Sequence, residues 1–155
     1  MPLVKFPFPS RSDPATTTGL ARGLRTRARE EGNGILWVHA PAGDVLALGR
    51  YHVVPENPPS EVAVVRRLCG GRPMPLGDGF VGVVLAMPHP AALVATDATT
   101  LAPERVLNRA VRGLLGALEA LGVAANYPGR DVVTCGGRPL AALAFDVDPD
   151  GATVV

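Results

Sequence analysis

Lysine is almost missing from this chain: among its 155 residues Lys5 stands alone, every other cationic side chain being arginine. The planar guanidinium suits carboxylates and phosphates, so cation chemistry here is arginine chemistry. Aromatic residues are scarce at 5%, which leaves Leu, Val and Ala to fill the interior. The two cysteines, Cys69 and Cys135, cannot form a disulfide framework, and no CxxC or His-rich spacing points to zinc, so a reducing, cytoplasmic setting is expected. No apolar run reaches the about 18 residues that would span a bilayer, and the start, MPLVKFPFPSR, lacks a signal-peptide pattern. Fifteen Lys plus Arg against fourteen Asp plus Glu give a net charge of +1, which supplies no global field for nucleic acid or an anionic membrane. Anion binding, if present, is local.

What the chain does have is apolar content. Hydrophobic residues at 47% and charged residues at 19% suffice for one core, and the length predicts a single domain. Eighteen Gly and sixteen Pro punctuate short apolar segments without forming a low-complexity block. After an apolar start at Leu3 to Phe8, Ser12 or Asp13 before Pro14 predicts an N-cap with proline at the first helical position, opening a helix to about Glu31. Ile35 to His39 and Val45 to Leu48, separated by Pro41-Ala42-Gly43-Asp44, read as a hairpin. A proline-rich loop at 53–60 leads to a strand at Glu61 to Arg67, and another strand at Phe80 to Met87 precedes a loop to Thr100. From Pro103, Leu107, Val111, Leu114, Leu118 and Leu121 recur on one helical face, closed by Gly122. Strands follow at Asp131 to Cys135, Leu140 to Val147 and Ala152 to Val155, the last two joined by Asp-Pro-Asp-Gly. The order predicts an α+β domain with a mixed, largely antiparallel sheet packed with two main helices.

The segment richest in chemistry is RRLCGGRPMPLGDGF, residues 66–80, between two strands. Gly70 and Gly71 would let backbone N–H groups approach an anion, and Arg66, Arg67 and Arg72 flank them. A solvent-facing glycine-rich hairpin is the alternative on composition alone. Neither a P-loop nor a dinucleotide fingerprint is present. His39, His52 and His89 are scattered and do not suggest a metal site; His52, after Gly49-Arg50-Tyr51, is the one closest in sequence to the segment. Arg105, Arg109 and Arg112 form a basic stripe that reads as a solvated helix face or as a surface for an acidic partner.

The same segment resembles the RRxxGG signature of the lipoate-protein ligase and biotin/lipoate ligase superfamily. LALGRYH at Leu46 to His52 and PGRDVVTCGGRPLAALAF at Pro128 to Phe145 are similar to the family's Gly-Arg strand, Asn-Asp strand and GxKIxGxA hairpin, in the family's order. The resemblance covers most of residues 15–147 and implies a partial biotin/lipoate ligase-like catalytic domain. It implies lipoate and ATP as substrates, with Mg²⁺ if adenylation is retained. A lipoyl-adenylate is formed and its acyl group passed to a lysine of a lipoyl carrier protein. Arg67, Gly70, Gly71 and Arg72 would line the acyl-adenylate pocket, Arg66 would support the strand, and Asp131 matches the family's aspartate. Arg130 stands where the family has asparagine, Leu76 near its loop histidine, and Pro139 where its catalytic lysine would be. Arg138 would replace that lysine only if the hairpin register shifted. Cys69 follows two arginines, which would lower its thiol pKa and suit a nucleophile of the kind related octanoyl transferases employ, although small residues fill this place elsewhere in the family. The chain ends at Val155, earlier than the family's domains, which implies a second subunit completing the fold as in bipartite ligases. The alternative is a non-catalytic member that binds a lipoyl carrier or a ligase; a biotin ligase is a third reading.

Overall fold

The computed structural model describes residues 2–6, 11–54, 56–57, 61–93 and 104–155. In chain order the elements are β1 (Leu3–Lys5), β2 (Arg11–Ser12), α1 (Pro14–Glu31), β3 (Gly34–Pro41), β4 (Val45–Leu48), β5 (Ala63–Arg66), β6 (Met74–Leu76), β7 (Gly82–Met87), a 3₁₀ turn (Pro90–Leu93), α2 (Glu104–Ala120), β8 (Ala125–Asn126), β9 (Val132–Cys135), β10 (Arg138–Ala142), β11 (Asp146–Val147) and β12 (Thr153–Val154). The α+β class stands, with parallel and antiparallel pairs mixed. No described helix is long and apolar enough to cross a membrane. The loop expected up to Thr100 and the helix start at Pro103 lie partly outside the described residues, as do residues 7–8 of the apolar start and part of the 53–60 loop.

The two helices follow their sequence signals. Asp13 caps α1, its Oδ1 accepting from the Thr16 N–H at 3.0 Å, and Gly32 ends it at φ 66°. Leu24 and Ala28, one turn apart, bury against Ile35 and Trp37 of β3 and Ala86 of β7. At the end of α2, Gly122 takes φ 76°, its N–H donating to the Glu119 carbonyl while that of Val123 donates to Leu118. Val111 is buried on the leucine face, whereas Leu121, past the helix, is exposed.

The strands divide into three sheets: a six-stranded one ordered β1-β3-β7-β12-β11 with β2 also on β3, and two three-stranded ones ordered β5-β4-β6 and β10-β9-β8. The hairpin expected across residues 35–48 does not form. β3 ends at Pro41, the Ala42 N–H turns back to the Ser12 carbonyl, Gly43 at φ 71° redirects the chain, and β4 joins a different sheet. The strand expected from Leu140 to Val147 is also interrupted. The Leu143 N–H donates to the Asp131 carbonyl at 2.7 Å, closing the β9–β10 hairpin before the chain crosses to β11. β11 and β12 then pair antiparallel around the expected Asp-Pro-Asp-Gly turn.

The small β5-β4-β6 sheet sets up the glycine-rich bend. A Cβ placed on Gly49, just past β4, would lie 2.1 Å from the carbonyl oxygen of Gly71. Backbone cannot retreat as a side-chain tip can, so Gly49→Ala is expected to cost about 1–3 kcal/mol or more in urea unfolding. A wild-type midpoint for this variant would disprove the contact.

Candidate functional site

The site grows from the C-terminal ends of β4 and β5. β4 and β5 run parallel, and the Arg67 N–H donates to the Leu48 carbonyl at 2.8 Å, extending their ladder by one residue. Neighbouring residues of an extended strand point to opposite faces, which separates the two adjacent arginines. Arg66 turns to the Gly49–His52 loop, where its Nη1 donates to the carbonyls of Gly49, Arg50 and His52 at 3.1, 2.9 and 2.7 Å. It is a brace on the backbone of this loop. His52 itself is exposed, with its carbonyl used by this brace.

Arg67 goes the other way, beneath the bend. Its Nη2 donates to the Arg72 carbonyl at 2.6 Å and its Nη1 to the Met74 sulfur at 3.6 Å, while its buried Nε has no hydrogen-bond partner. Burial lowers its pKa, partly offset by Cys69 and Asp131. A half-buried guanidinium whose buried Nε has no partner is a group that gains from an anion. Gly71 adopts φ 87° with Arg67 Nη2 3.8 Å from its Cβ direction, and Gly70 faces open space on that side. Glycine at these two positions thus keeps peptide groups accessible above a cation.

Arg72 reaches across to the turn before β9. Its Nε and Nη2 donate to Asp131 Oδ2 and Oδ1, both at 2.8 Å, a two-point pair that joins the bend to the β9–β10 hairpin. The Arg72 hydrogen bond is the largest influence holding the Asp131 carboxyl below the usual range; burial opposes it, and the charges of Arg72 and Arg130 add to it. Two adjoining hollows of about 370 and 460 Å³ meet at this turn. Arg72 and Val132 line the first, Asn108, Tyr127 and Phe145 the second, and Gly129, Arg130 and Asp131 both. Arg130 has φ 68°, a left-handed conformation that costs a side-chain-bearing residue about 1–2 kcal/mol. The Tyr127 hydroxyl donates to its carbonyl at 2.5 Å.

The two candidates for catalysis are placed less favourably. Cys69 is largely buried beneath the bend, its thiol donating to the Val154 carbonyl at 3.9 Å. Burial first, then Asp146, push its pKa up to about 11, outweighing Arg67 and Arg25. The adjacent arginines therefore do not create the thiolate that a nucleophile requires. Arg138 pairs with Cys135, and after a bulge Ala141 pairs with Val133. Directly paired residues share a face, so Arg138 lies on the face of Cys135 and Val133, while Pro139 pairs with Thr134 on the face of Val132 and the first hollow. The bulge does not bring Arg138 to Pro139's face, and Arg138 does not replace the missing cation.

One feature had no sequence signal. Asp146 pairs with Arg25 of α1 and with Arg50 at 3.1 Å, Asp148 with Arg25 and Arg29, and Asp150 with Arg29 at 2.8 Å. This network ties α1, the Gly49–Arg50 loop and the β11–β12 turn together behind Cys69. Separations of 96 residues and more hide it from any local pattern.

For magnesium the fit is poor. Among the described residues no group of three or more His, Cys, Asp or Glu could hold a metal ion, and both Asp131 oxygens already accept from Arg72.

Two outcomes check the site. Alkylation of Cys69 by iodoacetamide in a Cys135→Ser background should have a pH midpoint near 11, and rapid labelling at pH 7 would overturn the buried-thiol placement. Because the Asp131 pKa is lowered on folding, its contribution to stability is complete above the unfolded carboxylate range and is lost as pH falls through the lowered value. Arg72→Gln should therefore flatten the acid limb of the stability curve, and an unchanged limb would sink the pairing.

No family model and no curated protein sequence matches the chain. Solved structures do. The bipartite lipoate protein ligase of Thermoplasma acidophilum superposes with TM-score 0.71 at 15% identity, over 99% of this chain and 58% of that one. Lipoate-protein ligase A bound with ATP gives 0.73 at 13% identity, over 99% and 63%. LipL1 of P. falciparum in complex with lipoate gives 0.73 at 13% identity, over 99% and 45%. This chain thus spans about half to two thirds of the length of these proteins, and throughout that span it has the fold of the lipoate-protein ligases.

Proposed function

We propose that this chain binds lipoate and its adenylate and takes part in lipoyl transfer to a lysine of a lipoyl carrier protein, together with a second polypeptide. The observation that carries this reading is the half-buried Arg67 guanidinium, with its buried and unpartnered Nε, beneath the Gly70–Gly71 bend. In the proposed reaction the lipoate carboxylate attacks the α-phosphate of ATP, an acyl–phosphate bond forms and pyrophosphate leaves. The carrier's lysine amine then attacks the acyl carbonyl, forming an amide and releasing AMP. Charge builds on the phosphoryl oxygens in the first step, and a fixed guanidinium beside open peptide groups stabilises such charge without rearranging. Arg67 holds the phosphate or carboxylate, Gly70 and Gly71 offer N–H donors, and Arg72 with Asp131 fixes the bend against the hairpin.

The partner belongs to the proposal because one of the structures this chain resembles is that of a bipartite ligase. Residues 1–155 are read as one unit of such an assembly. A second reading, a binding module without catalysis, is favoured by Pro139, which places no amine on the site face of β10.

Isothermal titration with lipoyl-adenylate is expected to show binding that Arg67→Ala weakens by about tenfold or more. A carrier gel-shift assay with the co-purified partner then separates the readings. Lipoylation dependent on this chain supports the transferase, binding without transfer supports the module, and no binding by wild type with or without partner removes both.

A further inference from the structure

The geometry points to Arg130 as the phosphate-facing cation of this site, held in a strained turn at the junction of the two hollows. The inference rests on the adenylate-binding reading above. Four observations converge on it. Arg130 lines both hollows, so a ligand in either one meets it. Its side chain makes no hydrogen bond or ion pair among the described residues; the same holds for Arg22, Arg105, Arg109, Arg112 and Arg138, but of these Arg130 is the one that lines the two hollows, its charge acting on neighbouring Asp131.

The third observation is conformational. Arg130 is the non-glycine residue with positive φ among the described residues, in a turn where its neighbour Gly129 is also left-handed, at φ 98°. Glycine or asparagine would take φ 68° at lower cost, so a large cationic side chain here is retained against backbone preference. The turn is nonetheless tightly held. The Tyr127 hydroxyl fixes the Arg130 carbonyl, and Asp131 is fixed by Arg72 and by the Leu143 N–H. Fourth, the adjoining strands supply no cation on this side: Pro139, Thr134 and Val132 share the face of the first hollow, and Arg138 lies on the other. A guanidinium at residue 130 therefore meets an anion that β10 cannot neutralise. The ligand class is a phosphate or pyrophosphate group, with Asp131 saturated by Arg72 so that it does not repel the incoming charge.

The test compares Arg130→Asn, which tolerates the left-handed turn but removes the charge, with Arg130→Lys, which keeps the charge. ATP and lipoate are titrated separately into wild type and both variants, with the partner present where one co-purifies, and melting temperatures are recorded. The expected result is an about tenfold loss of ATP affinity in Arg130→Asn, partial recovery in Arg130→Lys, unchanged lipoate affinity, and an Arg130→Asn variant that melts no lower than wild type. Wild-type ATP affinity in Arg130→Asn overturns the inference, as does loss accompanied by a markedly lower melting temperature, which would mark a structural role. Lipoate binding without ATP binding in wild type also overturns it while leaving the acyl part of the function intact. Arg130-dependent ATP binding without lipoate binding supports the inference and removes the acyl reading instead.

Discussion

Two backbones touch where side chains would normally keep them apart. Gly49 ends β4 with no Cβ, and the Gly71 carbonyl occupies the space that one would fill. Because of that contact, the bend after β5 folds over the β4 end instead of splaying into solvent. The Arg50 N–H can then donate to the Cys69 carbonyl at 2.9 Å, and the Arg67 Nη2 to the Arg72 carbonyl under the bend. The parting of Arg66 and Arg67 follows from strand geometry once β5 is in register with β4. One arginine holds three carbonyls of the loop below, and the other is left under the bend with a donor to spare.

Around this contact the charges are arranged in layers. Behind the bend, α1 and the β11–β12 turn exchange arginines and aspartates whose side chains, Arg25, Asp146 and Asp148, are mostly shielded from water. Partly buried pairs of this kind fix geometry more than they add net stability, because desolvation offsets much of the attraction. In front of it, Arg72 and Asp131 form an exposed two-point pair whose worth is orientation of the hairpin. Near this bridge Arg67 keeps an unpartnered Nε and Arg130 makes no hydrogen bond or ion pair among the described residues, so positive charge at the site is local and needs no global excess.

Much of this was legible in the sequence, in proportion to how local each cause is. Asp13-Pro14 marked the start of α1, and the leucine spacing with Gly122 marked α2, because caps and helical periodicity act within a few residues. Gly70-Gly71 between arginines located the bend. Sheet membership was not legible: β3 and β4 are consecutive and β-rich, and only the turn at Pro41 to Gly43 and the non-local partners β7 and β6 send them to different sheets. β6 and β8, at three and two residues, are too short for any period to register. The role of Gly49 had no local signal, since the carbonyl it must admit lies 22 positions further on. Composition left Arg66 and Arg67 alike and only the resemblance separated their roles; the alternation of strand faces supplies the physical reason that they part.

The replacement at Pro139 is best understood together with the irregularity beside it. Proline has no N–H for the ladder, and the β9–β10 pairing slips by one residue between Pro139 and Ala141. The slip leaves Leu140 unpaired and half exposed, and it resets the alternation so that Arg138 and Ala141 face the same way. On β10 the residues paired to the site face of β9 are Pro139 and Ala142, and neither carries a charge. The turn at residues 128–131 has no such restriction, because its φ values are set by Gly129 and by the Tyr127 and Leu143 hydrogen bonds instead of by a ladder. A cation can enter the hollow from this turn without disturbing the hairpin. Strain confined to one residue, in a turn anchored on both sides, is how a fold tolerates a side chain that its backbone disfavours.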